Sequence, residues 1–160
     1  MNDEGITRAA GSIKLVLRDR GWHDPEMNWL AILCAGVAYF FLGFVWYSLL
    51  FGKIWAAEQV RHCGGEGTAP AKREFVGMLI ANFVSNLVAS AAIACLLRRM
   101  GIMDLPTALK LGAGLAAGFS ITTLTIVHVW EQKSTKVWLI DTSYHLLGCM
   151  AAAAILVSWR

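Results

Sequence analysis

The chain has 160 residues, of which 57% are hydrophobic and 16% charged, and its mean hydropathy is +0.55. Soluble domains have about 45–50% apolar and about 25% charged residues, so this composition excludes a disordered, collagen-like or coiled-coil chain and indicates an integral membrane protein. The net charge of +3 is spread along the chain rather than gathered in a basic stripe, so we expect no nucleic-acid partner.

Residues 1–28 form a polar extension before the first apolar run. Ile6, Ala10, Ile13 and Leu17 recur at helical spacing in it. This spacing favours an amphipathic helix that lies in the membrane interface, and a solvated polar tail is the alternative. The extension lacks the apolar stretch that is typical of a cleaved signal peptide.

Four charge-poor runs follow, each about 20 residues long, which is the length of a helix that crosses the hydrocarbon core of a bilayer. They cover residues 29–51, 75–97, 111–130 and 137–159. The sequence therefore predicts an all-α polytopic membrane protein, in which residues 29–160 form a bundle of four transmembrane helices within the lipid bilayer.

Aromatic residues mark the two membrane interfaces of these helices. Trp29 and Trp159 define one interface, which we call side A, and Trp46, Trp130 and Trp138 define the other, side B. An even number of spans puts both termini on side A. Lys and Arg residues are slightly more numerous on side A, so the positive-inside rule favours cytoplasmic termini by a narrow margin.

Small residues, which let helices approach closely in lipid, are distributed unevenly among the spans. They are Gly77, Ala81, Ser85 and Ala89 in the second span, Gly114 and Gly118 in the third, and Ala151 to Ala154 in the fourth. The first span is bulky and rich in aromatic residues. We therefore expect the other three spans to pack tightly together, and the first to lie outside them or to line an oligomer contact.

Polar side chains within the spans carry the candidate site, because ionisable groups are costly in hydrocarbon and usually have partners. Asp141 and His145 are four residues apart, so they share one face of the fourth helix, where the carboxylate can accept a hydrogen bond from the imidazole. A helix rises ~1.5 Å per residue, so the depth of each polar residue can be counted from side B. By this count, several other polar residues lie at a depth similar to that of Asp141 and His145. The predicted cluster consists of Asp141, His145, Asn82, Asn86, Thr123, His128 and Tyr144.

Three interpretations of this cluster stay open. The first is hydrogen bonding between helices in a small structural or accessory subunit, which associates with itself as a homo-oligomer or with other membrane-protein subunits. The second is a proton, ion or small-solute transport site in which Asp141 and His145 change protonation. The third is a metal, haem or quinone site at His128 and His145, although the sequence names no cofactor. We expect no enzymatic activity, because no span combines a serine, a base and an orienting residue at a recognisable spacing.

Two stretches of sequence are more distinctive than the rest. The first span ends with WYS at 46–48, followed by LFGK at 50–53 and Trp55. The fourth span opens with WLID at 138–141, followed by YHLL at 144–147. These stretches resemble a small bacterial membrane-protein family known as the domain of unknown function 1761.

The resemblance extends from Asn28 to the C-terminus and implies four helices in a bacterial inner (cytoplasmic) membrane. It implies no particular chemistry. The chain departs from the family pattern at Leu49, where members often have a proline, and in the polar extension of residues 1–28.

Overall fold

The structure is a computed structural model that describes residues 27–62 and 72–159. The helices are Trp29–Phe44, Gly52–His62, Lys72–Arg99, Leu105–Leu115, Thr122–Trp130 and Thr135–Ser158, and two π-helical turns, Val45–Leu50 and Ala116–Ile121, continue the first and fourth of these. All regular secondary structure in this part of the chain is helical, which confirms the all-α fold class. The predicted amphipathic helix around Ile6 and Leu17 lies outside the described residues.

Four helical segments are long and apolar enough to cross a membrane, as the sequence predicts. The first, second, third and fourth spans are Trp29–Leu50, Arg73–Arg99, Leu105–Trp130 and Thr135–Ser158. The helix Gly52–His62, which we call the connecting helix, follows the first span on side B. These features describe a membrane-embedded protein.

The third span begins before the apolar run that predicts it. Asp104 caps the helix, because its carboxylate accepts a hydrogen bond from the Thr107 amide at 2.8 Å. Pro106 lies in the first turn, where its fixed φ favours a helix start. The span therefore begins at Leu105 and includes Lys110 in its second turn.

The fourth span lies at the centre of the bundle and contacts the other three. The first span packs between the second and the fourth, which contradicts the expectation that it lies outside them. Besides its aromatic residues, the first span has small residues that are buried in the bundle. They are Ala31, Ala35, Gly36 and Gly43. A helix with one face of small residues can approach its neighbours closely, however bulky its other faces are.

Glycine contacts in the third span also differ from the expected ones. A Cβ added to Gly114 or Gly118, the expected packing pair, would meet nothing within 4 Å. Instead, Gly112 lies against the fourth span, where an added Cβ would be 2.7 Å from the carbonyl oxygen of Cys149. The spacing of two glycines therefore does not show which face of a helix meets its neighbour.

The small-residue series of the second span faces away from the bundle. Gly77, Ala81 and Ser85 are exposed, as is every residue from 73 to 82. The inward face of this span carries its buried residues, which are Asn86, Ser90, Ile93, Ala94 and Leu97. The second span therefore packs through its side-A half, and most of its expected small-residue interface is turned outward.

Candidate functional site

Asp141 is held by a hydroxyl group from the first span. Tyr47 donates its hydroxyl hydrogen bond to Asp141 Oδ1 at 2.7 Å. The expected partner, His145 on the same helix, is thus replaced by a tyrosine from another helix. Trp46 donates its ring N–H to the carbonyl oxygen of Ile140 at 3.0 Å. Both donors lie in the π-helical turn of the first span, whose wide winding directs consecutive side chains to the same neighbour.

His145 is bonded to a second tyrosine of the first span. The hydroxyl of Tyr39 lies 2.9 Å from His145 Nδ1 and 3.6 Å from Cys149 Sγ. Asp141, His145 and Cys149 are spaced four residues apart, so they follow one face of the fourth span turn after turn. Tyr39 is only 2% exposed. Its hydroxyl therefore requires a partner inside the bundle, and it finds one on this face.

Tyr144 and Asn86 connect the second span to the same group. The side-chain amide of Asn86 donates to the Tyr144 hydroxyl at 3.2 Å, and both residues are buried. The ring of Tyr144 contacts the rings of Tyr39 and Tyr47 at centroid distances of 5.4 Å and 5.3 Å. Interhelical hydrogen bonds in a bilayer contribute about 0.6 kcal/mol each on average, so they align the three spans as much as they stabilise them.

Two glycines make room for these rings. A Cβ on Gly148 would overlap the ring of Tyr39, and a Cβ on Gly43 would lie 3.1 Å from the ring of Tyr144. Only a residue without a side chain permits such close approach between a helix backbone and an aromatic ring. The polar cluster therefore depends on close packing between the first and fourth spans.

Two predicted members lie apart from the cluster, and a third lies at its edge. Asn82 and Thr123 are exposed on the second and third spans. His128 is half-buried near the side-B end of the third span and acts electrostatically on Asp141. Depth along a helix does not determine the direction of a side chain, which explains these differences. The predicted residues that come together are Asp141, His145, Tyr144 and Asn86.

Sequence reasoning missed the two tyrosines of the first span as site residues. Tyr39 lies in an aromatic run interpreted as bulk, and Tyr47 lies at the side-B interface, where tyrosine is common. A signal was available, because a tyrosine hydroxyl within an apolar span requires a hydrogen-bonding neighbour. The sequence does not show which helix supplies that neighbour.

Outside the membrane-spanning segments, a buried carboxylate docks the connecting helix. Glu58 is 7% exposed and pairs with Arg61 at 3.3 Å and with Lys136 of the fourth span at 3.6 Å. The pKa of Glu58 lies below its ordinary value, first because the Ser134 hydroxyl is adjacent and then because of Arg61 and Lys136. The Ser134 hydroxyl is buried and makes no hydrogen bond of good geometry. We therefore attribute its effect on the Glu58 pKa to the dipole of the hydroxyl group, which lies close to the carboxylate. These contacts hold the connecting helix against the side-B end of the bundle.

The chemistry of the polar cluster is that of hydrogen-bond donors and acceptors. It combines a carboxylate, an imidazole, a thiol, an amide and phenols. Among the residues that the structure describes, no group of three or more His, Cys, Asp or Glu side chains could hold a metal ion. The cluster can align helices, and its ionisable members can take up and release protons.

Comparison with protein families gives one match, over residues 30–157, to a family described as Protein of unknown function (DUF1761). No curated protein and no solved structure matches the chain. The matched region includes all four spans almost completely, together with both distinctive stretches and every member of the polar cluster. Because the match covers most of its length, the chain belongs to the DUF1761 family.

Proposed function

We propose that this protein is a non-catalytic membrane bundle that associates with copies of itself and acts as a structural or accessory subunit. The observation that carries the proposal is a series of small, exposed residues on the second span. We call it the outer stripe, and its members are Gly77, Ala81, Ser85, Ala92 and Cys95.

The spacing of the outer stripe places its members on one helix face. They follow at intervals of three, four or seven residues, opposite the inward-facing Asn86 and Ser90. Little hydrophobic force drives helices together in lipid, and small residues at such spacing stabilise helix pairs by allowing close backbone approach. The stripe does not pack against the other described helices of its own chain, and this supports a partner in another chain.

A second copy of the chain is the partner that we favour. Two parallel copies related by a two-fold axis would bring the stripe against itself, which is a self-complementary contact. Asn82 is exposed beside the stripe, where an amide facing hydrocarbon is costly and a neighbouring helix can offer it a hydrogen bond. The Ser85 hydroxyl donates to the Ala81 carbonyl at 2.8 Å, so the stripe presents no unsatisfied hydroxyl proton at the contact.

The polar cluster supports this role by fixing the second span on the bundle. Asn86 bonds to Tyr144 at 3.2 Å on the inward face, while the next residue toward side B, Ser85, faces outward. A fixed inward face gives the outer stripe one orientation. Two copies can then meet with little loss of conformational freedom, which favours association.

Cysteine crosslinking in liposomes tests the proposal. In a background with Cys34, Cys63 and Cys95 replaced by serine, we expect Ala81→Cys to form a disulfide-linked dimer on mild oxidation. Leu79→Cys is the matched control, because this position is 40% exposed but lies on the opposite face of the helix from the stripe. Equal crosslinking at both positions, or none at either, would contradict a specific contact through the outer stripe.

A bulky substitution provides a second test. The side chain of Ala81→Leu would separate two copies but would touch nothing inside the bundle, since Ala81 is exposed. We expect the dissociation constant of the dimer, measured by energy transfer between labelled copies, to rise roughly tenfold, which is ~1.4 kcal/mol. The unfolding temperature should stay unchanged at dilutions where the wild-type chain is monomeric, and Ile80→Leu should alter neither quantity. Unchanged association of Ala81→Leu would refute the homodimer.

A further inference from the structure

Asp141 and His145 lie between two lines of contact on the fourth span. On one side Gly148 meets the first span, and on the other side Cys149 meets the third span. Within the described residues, the first and third spans make no extended contact with each other. The part of the fourth span that carries Asp141 and His145 is therefore left partly uncovered between these two spans, and we call this uncovered part the cleft.

Both ionisable side chains are only half-buried, so part of each faces the cleft. At ~1.5 Å per residue from Val137, Asp141 lies about 6 Å and His145 about 12 Å from side B. Ionisable groups at such depth are costly against acyl chains and almost always face protein or a water-filled cavity. We propose that water enters the cleft from side B and that Asp141 and His145 form a proton-binding site in it.

The hydroxyl partners of the two groups suit proton exchange. Tyr47 donates to Asp141, and Tyr39 is bonded to Nδ1 of His145, so each group is oriented by a phenol of the first span. In the tautomer whose Nδ1–H donates to the Tyr39 oxygen, the second imidazole nitrogen, Nε2, carries the lone pair that can take up or release a proton. A proton from water forms an O–H bond on the Asp141 carboxylate or an N–H bond on His145 Nε2. It returns to water by the same route, and no other bond changes.

Toward side A, the same part of the fourth span is covered by its neighbours. The residues that follow His145 there are each at most 6% exposed, and they are Cys149, Ala152 and Leu156. Protons therefore reach the site from side B and return to side B. This geometry describes a one-sided proton-binding site rather than a channel across the membrane.

Few charged groups surround the site. His128 at the end of the third span and Lys133 in the loop after it act electrostatically on Asp141. The connecting helix contributes Glu58, which is already paired with Lys136, and the inward face of the second span contributes an uncharged amide. Among the residues that the structure describes, the other titratable groups near the cleft are the phenols and the thiol of the polar cluster. Substitution of Asp141 can therefore separate a pH response of the site from the responses of its neighbours.

Reaction with a charged, membrane-impermeant methanethiosulfonate tests the access of water, because the reagent attacks hydrated thiolates. With all four native cysteines replaced by serine, Asp141→Cys and His145→Cys are compared in the full chain in liposomes. We expect each to react roughly tenfold faster than Leu139→Cys, which is 54% exposed on another face of the same span. Equal rates would show that acyl chains or another protein surface fill the cleft, which would overturn the proposal.

Infrared spectroscopy in lipid nanodiscs tests protonation itself. The carboxylic-acid C=O stretch of the wild-type protein, which has 11 Asp and Glu residues, should contain a component that titrates with pH and that Asp141→Asn removes. Tyr47→Phe keeps the ring but removes the hydroxyl, so it should shift the midpoint of this titration by about one to two pH units. Asp104→Asn, at the side-A start of the third span, should leave the midpoint unchanged.

A titrating band of folded Asp141→Asn that is identical to that of the wild-type protein would overturn the proton-binding site. An unchanged midpoint in folded Tyr47→Phe would also overturn the proton-binding site. If Asp141→Asn fails to fold, Tyr47→Phe still provides the test. Loss of the outer-stripe contact alone would leave a protonation signal that depends on Asp141 in place, so the two proposals stand or fall separately.

Discussion

A methyl group added at Gly148 tests the contact between the first and fourth spans. Alanine at this position would place its Cβ within 2.5 Å of three atoms of the Tyr39 ring. The ring has little room to withdraw, because Tyr39 is 2% exposed and its hydroxyl is bonded to His145. Either the first span moves away from the fourth, or Tyr39 leaves its rotamer and loses that hydrogen bond.

The expected cost of Gly148→Ala follows from three contributions. Overpacking of a buried site costs ~1–3 kcal/mol, and loss of the hydrogen bond between Tyr39 and His145 adds about 0.5–1.5 kcal/mol. The higher helix propensity of alanine offsets about 1 kcal/mol of this loss. We therefore expect the free energy of unfolding to fall by about 0.5–3.5 kcal/mol.

Reversible unfolding in mixed detergent and dodecyl sulfate micelles measures this change. Gly118→Ala is the control, because its methyl group would meet nothing within 4 Å and should not destabilise the bundle. In a Tyr39→Ala background, Gly148→Ala should no longer lower the free energy of unfolding, because the ring that overlaps the added methyl group is absent. If Gly148→Ala is as stable as Gly118→Ala in the otherwise wild-type chain, the inferred packing of Tyr39 is refuted.

Three further substitutions separate other contacts. Because the pKa of folded Glu58 lies below its ordinary value of 4.5, its charge contributes stability that is present at neutral pH and lost as the pH falls below 4.5 through the lowered pKa. Thermal unfolding at stepwise lower pH should show this loss, and Glu58→Gln should remove it. Asn86→Leu should lower the unfolding temperature in detergent and Asn82→Leu should not, because only Asn86 is buried and bonded within the bundle. Gly112→Val should speed proteolysis of the third span, whereas Gly114→Val should not, because only Gly112 approaches the fourth span closely.

Hydropathy predicted the depth of polar residues but not their direction. The four spans could be recognised because a bilayer demands about 20 apolar residues in each helix. Asn82 and Asn86 are one turn apart in the same span, and both were expected in the cluster. One is exposed and the other is bonded to Tyr144. The arrangement of the neighbouring helices determines which of the two asparagines is buried, and the sequence of a single helix does not contain that arrangement.

The hydrogen-bond partner of Asp141 shows a second limit. The spacing of Asp141 and His145 predicted that they share a helix face, and both lie on the face that meets the first span. Their bonds, however, go to Tyr47 and Tyr39, which are about a hundred residues away in sequence. Spacing within one helix shows which side chains are neighbours. Only the packing of two helices shows which competing donor lies closer.

The second span joins the two proposals physically. Asn86 bonds to Tyr144, whose ring lies 4.8 Å from the His145 ring and 5.3 Å from the Tyr47 ring. A shift of the second span on association would therefore move the phenol that lies between the two protonatable groups. If association changes the proton affinity of the site, then by linkage pH must change association by the same factor.

We therefore expect the dissociation constant of the dimer in liposomes to vary with pH across the titration of Asp141. Asn86→Leu should weaken this pH dependence, because it removes the bond through which the second span reaches Tyr144, and any weakening of association itself should be the same at every pH. Energy transfer between labelled copies at several pH values measures both quantities. A pH-independent dissociation constant in the wild-type protein would show that the outer stripe and the cleft act independently, even if each proposal holds by itself.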